Sequence, residues 1–198
     1  MAMTSLSTIR HTVIVLEMNS SFINSESKDY NWDEIFRDAG FFHFTGITPA
    51  LDPNVANLCE EALKKAKEHG LTVSCDLNYR KNLWTTEQAK TTMEKLLKYV
   101  DVLIANEEDA SDVFGISAAN TDVTTGKVNP DGYKDVAKQL ADRFGFKYVA
   151  ITLRSSISAN DNDWAGMLYD GENYCFSKSY HLHITDRVGG GDSFGGGL

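Results

Sequence analysis

Three observations predict an α/β fold with an open, largely parallel sheet and helices on both faces. Strand-like and helix-like stretches alternate along most of the chain. Two helical stretches, Val55–Ala66 and Tyr133–Phe144, repeat apolar residues every three or four positions, giving one apolar stripe and one charged face each. Leu71–Asp76 opens on a nearly continuous apolar run, as a strand covered on both faces requires.

Taken in order, Thr12–Leu16 reads as a short strand, Asn19–Tyr30 as a polar loop and Trp32–Ala39 as weakly helical. Phe41–Thr45 is a second strand, closed by Gly46 and Pro49. Asp52 is placed to cap a helix whose first residue is Pro53, with Gly70 at its C-terminal cap. After the Leu71–Asp76 strand, Thr85 and Gln88 form a capping-box pattern that opens a helix through Met93, Leu96 and Leu97. Asp101–Ala105 is the next buried strand, and Asn106–Phe114 a helix stopped near Gly115. Ser117–Asn129 is polar and expected to be an exposed excursion. The Tyr133–Phe144 helix ends at Gly145 and leads to a strand over Lys147–Leu153. Trp164–Tyr169 and Asn173–Ser177 read as a hairpin around Asp170-Gly171. Sheets of this class place ligands beyond the carboxyl ends of their strands.

The 198 residues suit one domain with a real core. A formal charge of −9 argues against a general nucleic-acid binder, which needs a basic face. The three cysteines have no paired metal-type spacing and read as reduced thiols of a cytoplasmic protein. No apolar run is long enough to span a bilayer, and Met1–Arg10 lacks the apolar core of a signal peptide, so no membrane partner is expected. His181 and His183 are spaced for one strand face and form a possible metal pair. No Cys or carboxylate is seen to complete the set, so a structural role is the expectation. Trp84 and Trp164 are expected to pack.

The chemistry concentrates near the end of the sequence, in Gly189-Gly190-Gly191-Asp192. Successive glycines leave backbone N–H groups uncovered. At a helix start those groups bind phosphate oxygens. Asp192 at the same point is placed to accept a proton from a hydroxyl attacking phosphorus. The alternative is a flexible turn with Asp192 as an ordinary cap. The run is not a P-loop, because no Lys-Ser/Thr follows, and it is not a dinucleotide fingerprint. Asp76, Asn78 and Arg80 point the same way in extended chain and emerge at a strand's carboxyl end. There the Arg80 fork suits a carboxylate or phosphate. The alternative there is an Asx-turn and a surface Arg. Arg154, at the strand-to-loop end of Ile151–Ser155, offers a phosphate partner or is simply solvated.

Asp186–Asp192 resembles the D-T-x-G-A-G-D signature of ribokinase-like (PfkB family) carbohydrate kinases, with Arg187 in place of Thr and Gly190 in place of Ala. Asn106–Asp109 is similar to that family's N-x-x-E motif, with Asp109 at the last position. Asp76–Trp84 resembles D-x-N-x-R-x-x-L-W of the 2-keto-3-deoxygluconate kinases. Phe44–Leu51, Ser158–Tyr169 and Phe176–His183 are also similar to that subfamily. The resemblance implies a ribokinase-like three-layer α/β/α sandwich with a mostly parallel central sheet, incomplete at both ends, over residues 1–198. Residues 1–30 would then be a remnant of the lid and sugar-contact region.

The resemblance further implies ATP-dependent phosphorylation of a sugar acid, with ATP and Mg²⁺ as cofactors and homo-oligomeric intact relatives. Asp192 is the implied general base, and Gly189, Gly190 and Gly191 the stabilisers of the transferred phosphoryl group. Arg80 and Asp192 are implied to meet the substrate, and Asn78, Arg80, Asn106, Thr152, Arg154, Gly189 and Gly191 the nucleotide. Glu108 or Asp109 would serve the metal indirectly. Relatives carry a Tyr/Asp/Arg-type run where Val15–Met18 stand here, and Glu17 in place of an Arg would repel a substrate carboxylate. The expectation is a truncated or degenerate product, or a fragment. Another sugar kinase of this fold and a non-catalytic ligand-binding remnant are the alternatives.

Overall fold

The computed structural model describes residues 21–117, 130–158, 160–185 and 189–198. The strand expected at Thr12–Leu16, nearly all of the Ser117–Asn129 excursion, and Asp186 and Arg187 lie outside the described residues.

Strand β1 (Phe41–Thr45) pairs in parallel with β2 (Thr72–Asp76), β2 with β3 (Val102–Ala105), and β3 with β4 (Tyr148–Ser156). Strand β5 (Asp161–Tyr169) runs antiparallel to β4. Strands β6 (Tyr174–Phe176) and β7 (Tyr180–His183) each pair antiparallel with a different half of β5, completing a seven-stranded sheet.

The helices follow local signals. The short helix α1 (Trp32–Phe36) buries Trp32 and Phe36. A further short helix, α2 (Ile47–Ala50), follows β1. Helix α3 (Pro53–Glu68) has Pro53 in its first turn, and the Asp52 side chain accepts from the Asn54 N–H at 2.7 Å. Its stripe Val55, Leu58, Cys59, Ala62, Leu63 and Ala66 is buried, and Gly70 takes φ 74 beyond its end. Helix α4 (Thr86–Leu96) carries the Thr85/Gln88 capping box. Helix α5 (Glu107–Phe114) is capped by Asn106 and closed by Gly115 at φ 68. Helix α6 (Pro130–Phe144) buries Tyr133, Val136, Ala137 and Leu140. Helix α7 (Gly190–Gly197) ends the described chain.

Because β1 to β4 lie side by side in chain order, right-handed crossovers put α3, α4, α5 and α6 on one face of the sheet, where successive helices touch. Phe42, Phe44, Val73, Cys75, Leu103, Val149, Ile151 and Met167 point into that core. Helix α7 lies on the opposite face. A Cβ built on Gly166 of β5 would stand 2.8 Å from the Phe194 ring, and one on Gly195 would stand 3.3 Å from Ile104 Cδ1. The expectation of helices on both faces therefore holds, but unevenly among the described residues.

Several boundaries differ from expectation: the stretch read as a loop over Asn19–Tyr30 holds short 3-10 turns at Ser21–Asn24 and Ser27–Asp29, the helix from Trp32 ends at Phe36, and two strands are longer than expected. Strand β4 continues to Ser156, so Arg154 sits within a strand opposite Trp164 and not in a loop. Strand β5 begins at Asp161, not Trp164. Both extensions come from antiparallel partners in register, Ser155 with Asp163 and Ser156 with Asn162. The histidine pair also differs: His181 lies opposite Asp163 and His183 opposite Asp161, so carboxylates do accompany it.

Candidate active site

The carboxyl ends of β1, β2 and β3 open toward the first turn of α7. The tips of β1 and β2 are drawn together at Gly46, whose N–H donates to the Asp76 carbonyl at 2.8 Å. A Cβ at Gly46 would lie 2.1 Å from the Leu77 carbonyl oxygen, so only glycine allows this approach. The Leu77 N–H still donates to the Ile104 carbonyl at 2.8 Å. Then the chain turns: Asn78 takes φ 39, the one positive φ outside glycine among the described residues. Its Nδ2 donates to Thr45 Oγ1 at 3.2 Å. The extended geometry expected through Arg80 is thus broken at Asn78. Arg80 leaves exposed, yet its guanidinium remains in electrostatic reach of Asp76 and Asp109.

The glycine run starts α7 as expected. Gly189 takes φ 79, and its carbonyl accepts from the Ser193 N–H at 2.9 Å and the Ser193 hydroxyl at 2.8 Å. No side chain caps this helix start, so its first N–H groups keep their donor capacity. A Cβ at Gly190 would stand 3.7 Å from Trp164 Cη2, and one at Gly191 3.7 Å from Asp76 Oδ2. The first turn is therefore set between β5 and β2. Asp192, on that turn, is exposed.

Three acidic groups share this region. Burial raises Asp76 to about 6, and the Asp192 charge adds to it, while Arg80 and the Asn78 N–H pull it down. Burial also raises Asp109 to about 7, helped by Asp76 and Glu108 and opposed by the Tyr79 N–H and Arg80. Like charges this close resist joint ionisation and favour any cation or donor that enters. His43, on the same sheet face as Asp76, has Nδ1 at 2.6 Å from Ser74 Oγ. Burial lowers its pKa and the Asp192 charge opposes that.

Among the sequence-predicted residues, Asp192, Gly189, Gly190, Gly191, Asn78 and Arg80 gather here with Asp76. Asn106 is occupied locally, its side-chain oxygen accepting from the Asp109 N–H at 2.6 Å. Asp109 is buried against the Tyr79 N–H, whereas Glu108 is exposed. Among the described residues no group of three or more His, Cys, Asp or Glu is placed to hold a metal ion. Thr152 and Arg154 lie on the α7 face of β4, in register with Gly166 and Trp164, which puts them toward the Gly190 side of the run. Sequence reasoning missed His43 and Ser74. The signal was a polar residue alternating with two core phenylalanines in Phe41–Thr45. It also missed the coupling of Asp76 to Asp109, which depends on the parallel neighbours β2 and β3.

The arrangement can bind an anion on backbone amides, hold a proton acceptor beside it, and present a guanidinium to a second anionic group. Comparison with known proteins gives the family. The model of the "pfkB family carbohydrate kinase" matches residues 3–198. The chain is 30% identical over 187 residues to a 2-dehydro-3-deoxygalactonokinase of Haloferax volcanii, spanning 94% of this chain and 52% of that protein. It is 26% identical over 181 residues to a 2-dehydro-3-deoxygluconokinase of Bacillus subtilis, spanning 91% and 49% respectively. The crystal structure of 2-dehydro-3-deoxygluconokinase from Thermotoga maritima superimposes with a TM-score of 0.81 at 45% identity, over 88% of this chain and 51% of that one. The chain thus spans about half the length of the relatives it matches.

Proposed function

Because this chain belongs to the pfkB family of carbohydrate kinases, we propose that it transfers a phosphoryl group from ATP to a hydroxyl of a sugar acid, 2-keto-3-deoxygluconate giving its 6-phosphate, with Asp192 as general base. The observation that carries this reading is the exposed Asp192 carboxylate on the first turn of α7, beside the uncapped glycine amides. The amides of Gly189, Gly190 and Gly191 donate to the oxygens of the transferred group, where negative charge gathers. Asp192 accepts the hydroxyl proton as the oxygen attacks.

Arg80 holds the acid's carboxylate, or a phosphate, in a two-point grip that Lys cannot copy. On the nucleotide side the assignment includes Asn78, Asn106, Thr152 and Arg154. Mg²⁺, when bound with the nucleotide, neutralises phosphate charge. Glu108 and Asp109 are proposed to meet it through water; burial raises both Asp76 and Asp109, the Asp192 charge adds to the first and the Asp76 charge to the second, and a cation nearby would relieve that repulsion.

The substrate is tested by ADP release with a panel of 2-keto-3-deoxygluconate, 2-keto-3-deoxygalactonate, fructose and ribose. Turnover on the two sugar acids well above the neutral sugars is expected. Turnover on fructose or ribose alone would move the protein to a neutral-sugar kinase. Nucleotide binding without ADP release would make it a ligand-binding remnant.

A further inference from the structure

The histidine pair on β7 has no part in the phosphoryl-transfer reading. His181 lies opposite Asp163 and His183 opposite Asp161 across the β5–β7 ladder. His181 Nδ1 is 2.9 Å from Asp163 Oδ1, and His183 Nδ1 is 2.7 Å from Asp161 Oδ1. An ionised carboxylate only accepts, so each Nδ1 carries the hydrogen and donates it. Asp161 is further held as an acceptor by the Ser158 hydroxyl at 2.8 Å on its other oxygen. The His183 bond leads the causes that lower its pKa. Both tautomers are thereby fixed, and each Nε2 lone pair has no hydrogen-bond partner among the described residues.

Both imidazoles stand on one face of β7, with side chains 63% and 66% exposed. Residues two apart on a strand are about 7 Å apart at Cα. That spacing lets two Nε2 atoms reach one ion through bonds of about 2.0–2.1 Å. A ligating histidine that gives its other N–H to a carboxylate is the usual outer arrangement of a metal-bound imidazole. No third His, Cys, Asp or Glu joins these groups into a metal-holding cluster among the described residues, so an ion held here would take its remaining ligands from solvent.

We propose that His181 and His183 form an open surface site for a zinc-class transition-metal dication, oriented by Asp163 and Asp161. Imidazole ligands select such ions over Mg²⁺, which prefers oxygen. A bound dication makes each Nδ1–H more acidic and strengthens its bond to the carboxylate. The ion thereby fastens β7, the strand before the glycine run, onto β5. Protons compete for Nε2, so binding weakens as pH falls.

Isothermal titration with ZnCl₂ tests this on the chain carrying Cys175→Ser, because Cys175 is exposed and would itself take zinc. One ion per chain is expected. His181→Ala and His183→Ala should each weaken binding at least about tenfold, and Asp161→Asn with Asp163→Asn by roughly 10–100-fold. MgCl₂ should not compete. Zinc affinity that is absent, or indifferent to these substitutions, overturns the site. A readout on the unsubstituted chain guards against a variant that fails to fold: trace Cu²⁺ should broaden the His181 and His183 ring signals before those of the other histidines. Broadening elsewhere first also overturns the proposal. Neither readout depends on kinase activity.

Discussion

Gly46→Ala offers a sharp test of how the site is built. Gly46 has φ −62 and ψ −12, a backbone conformation that alanine accepts without strain. Only the contact opposes it. The new methyl would stand 2.1 Å from the Leu77 carbonyl oxygen and 3.1 Å from its carbon. Those atoms belong to backbone held on the far side by the Leu77 N–H bond to Ile104 at 2.8 Å. Relief requires the tips of β1 and β2 to part by about 1 Å, a packing strain of about 1–3 kcal/mol. The Gly46 N–H bond to the Asp76 carbonyl stretches with it, adding about 1 kcal/mol. A destabilisation of about 3 kcal/mol follows. With a urea dependence of about 2 kcal/mol/M, the unfolding midpoint drops by about 1.5 M at unchanged slope. Gly40→Ala is the control, since a Cβ there meets nothing within 4 Å. A Gly46→Ala midpoint equal to that of Gly40→Ala would refute the close approach that sets Asp76 and Asn78 in place.

Two further predictions concern buried charge, and one concerns the substrate. Asp101 accepts from the Lys67 ammonium at 2.6 Å and the Val73 N–H at 2.9 Å, with Lys147 at 3.0 Å. Burial pushes its pKa up, but these bonds outweigh it and hold the carboxyl below the usual 3.8. Its contribution is present above pH 3.8 and lost as pH falls below that value. Asp101→Ala should cost about 2–3 kcal/mol at pH 7, much of it from the orphaned Val73 N–H, and the deficit should shrink in acid denaturation series. Asp109 has the opposite sign: raised to about 7, it weakens the fold as pH climbs from 3.8 through 7. Asp109→Asn should therefore stabilise the protein at pH 8, by on the order of 2 kcal/mol, and not at pH 4; equal Tm changes at both would reject the assignment. Arg80→Ala should raise KM for the sugar acid by roughly 10–100-fold and leave KM for ATP less affected. A change confined to ATP would place Arg80 on the nucleotide instead.

Local chemistry made much of the fold legible. The Asp52 and Thr85 caps and the glycines after α3, α5 and α6 all fall where their side chains or φ values demand, whereas Asn106, read as helical, turns out to cap α5 from outside it. What the sequence hid was set by partners distant in the chain. Strand β4 runs on through Arg154 because β5 pairs with it to Ser156. The Asp76 charge adds to the burial that raises Asp109 because β2 and β3 are parallel neighbours. Asn78 turns the chain at φ 39 while bonding Thr45 across strands, so Arg80 could not be placed by simple alternation. The aspartates beside His181 and His183 depend likewise on β7 returning along β5. For the site, the Gly189–Asp192 run was visible outright, whereas His43 was hidden among core phenylalanines.

Whether Asp192 removes the hydroxyl proton during phosphoryl transfer is read from ADP release by Asp192→Asn beside the unsubstituted protein. With 2-keto-3-deoxygluconate and saturating MgATP, kcat should fall by roughly 10²–10⁴-fold while KM for both substrates changes little. Turnover that survives the substitution would rule out Asp192 as the base.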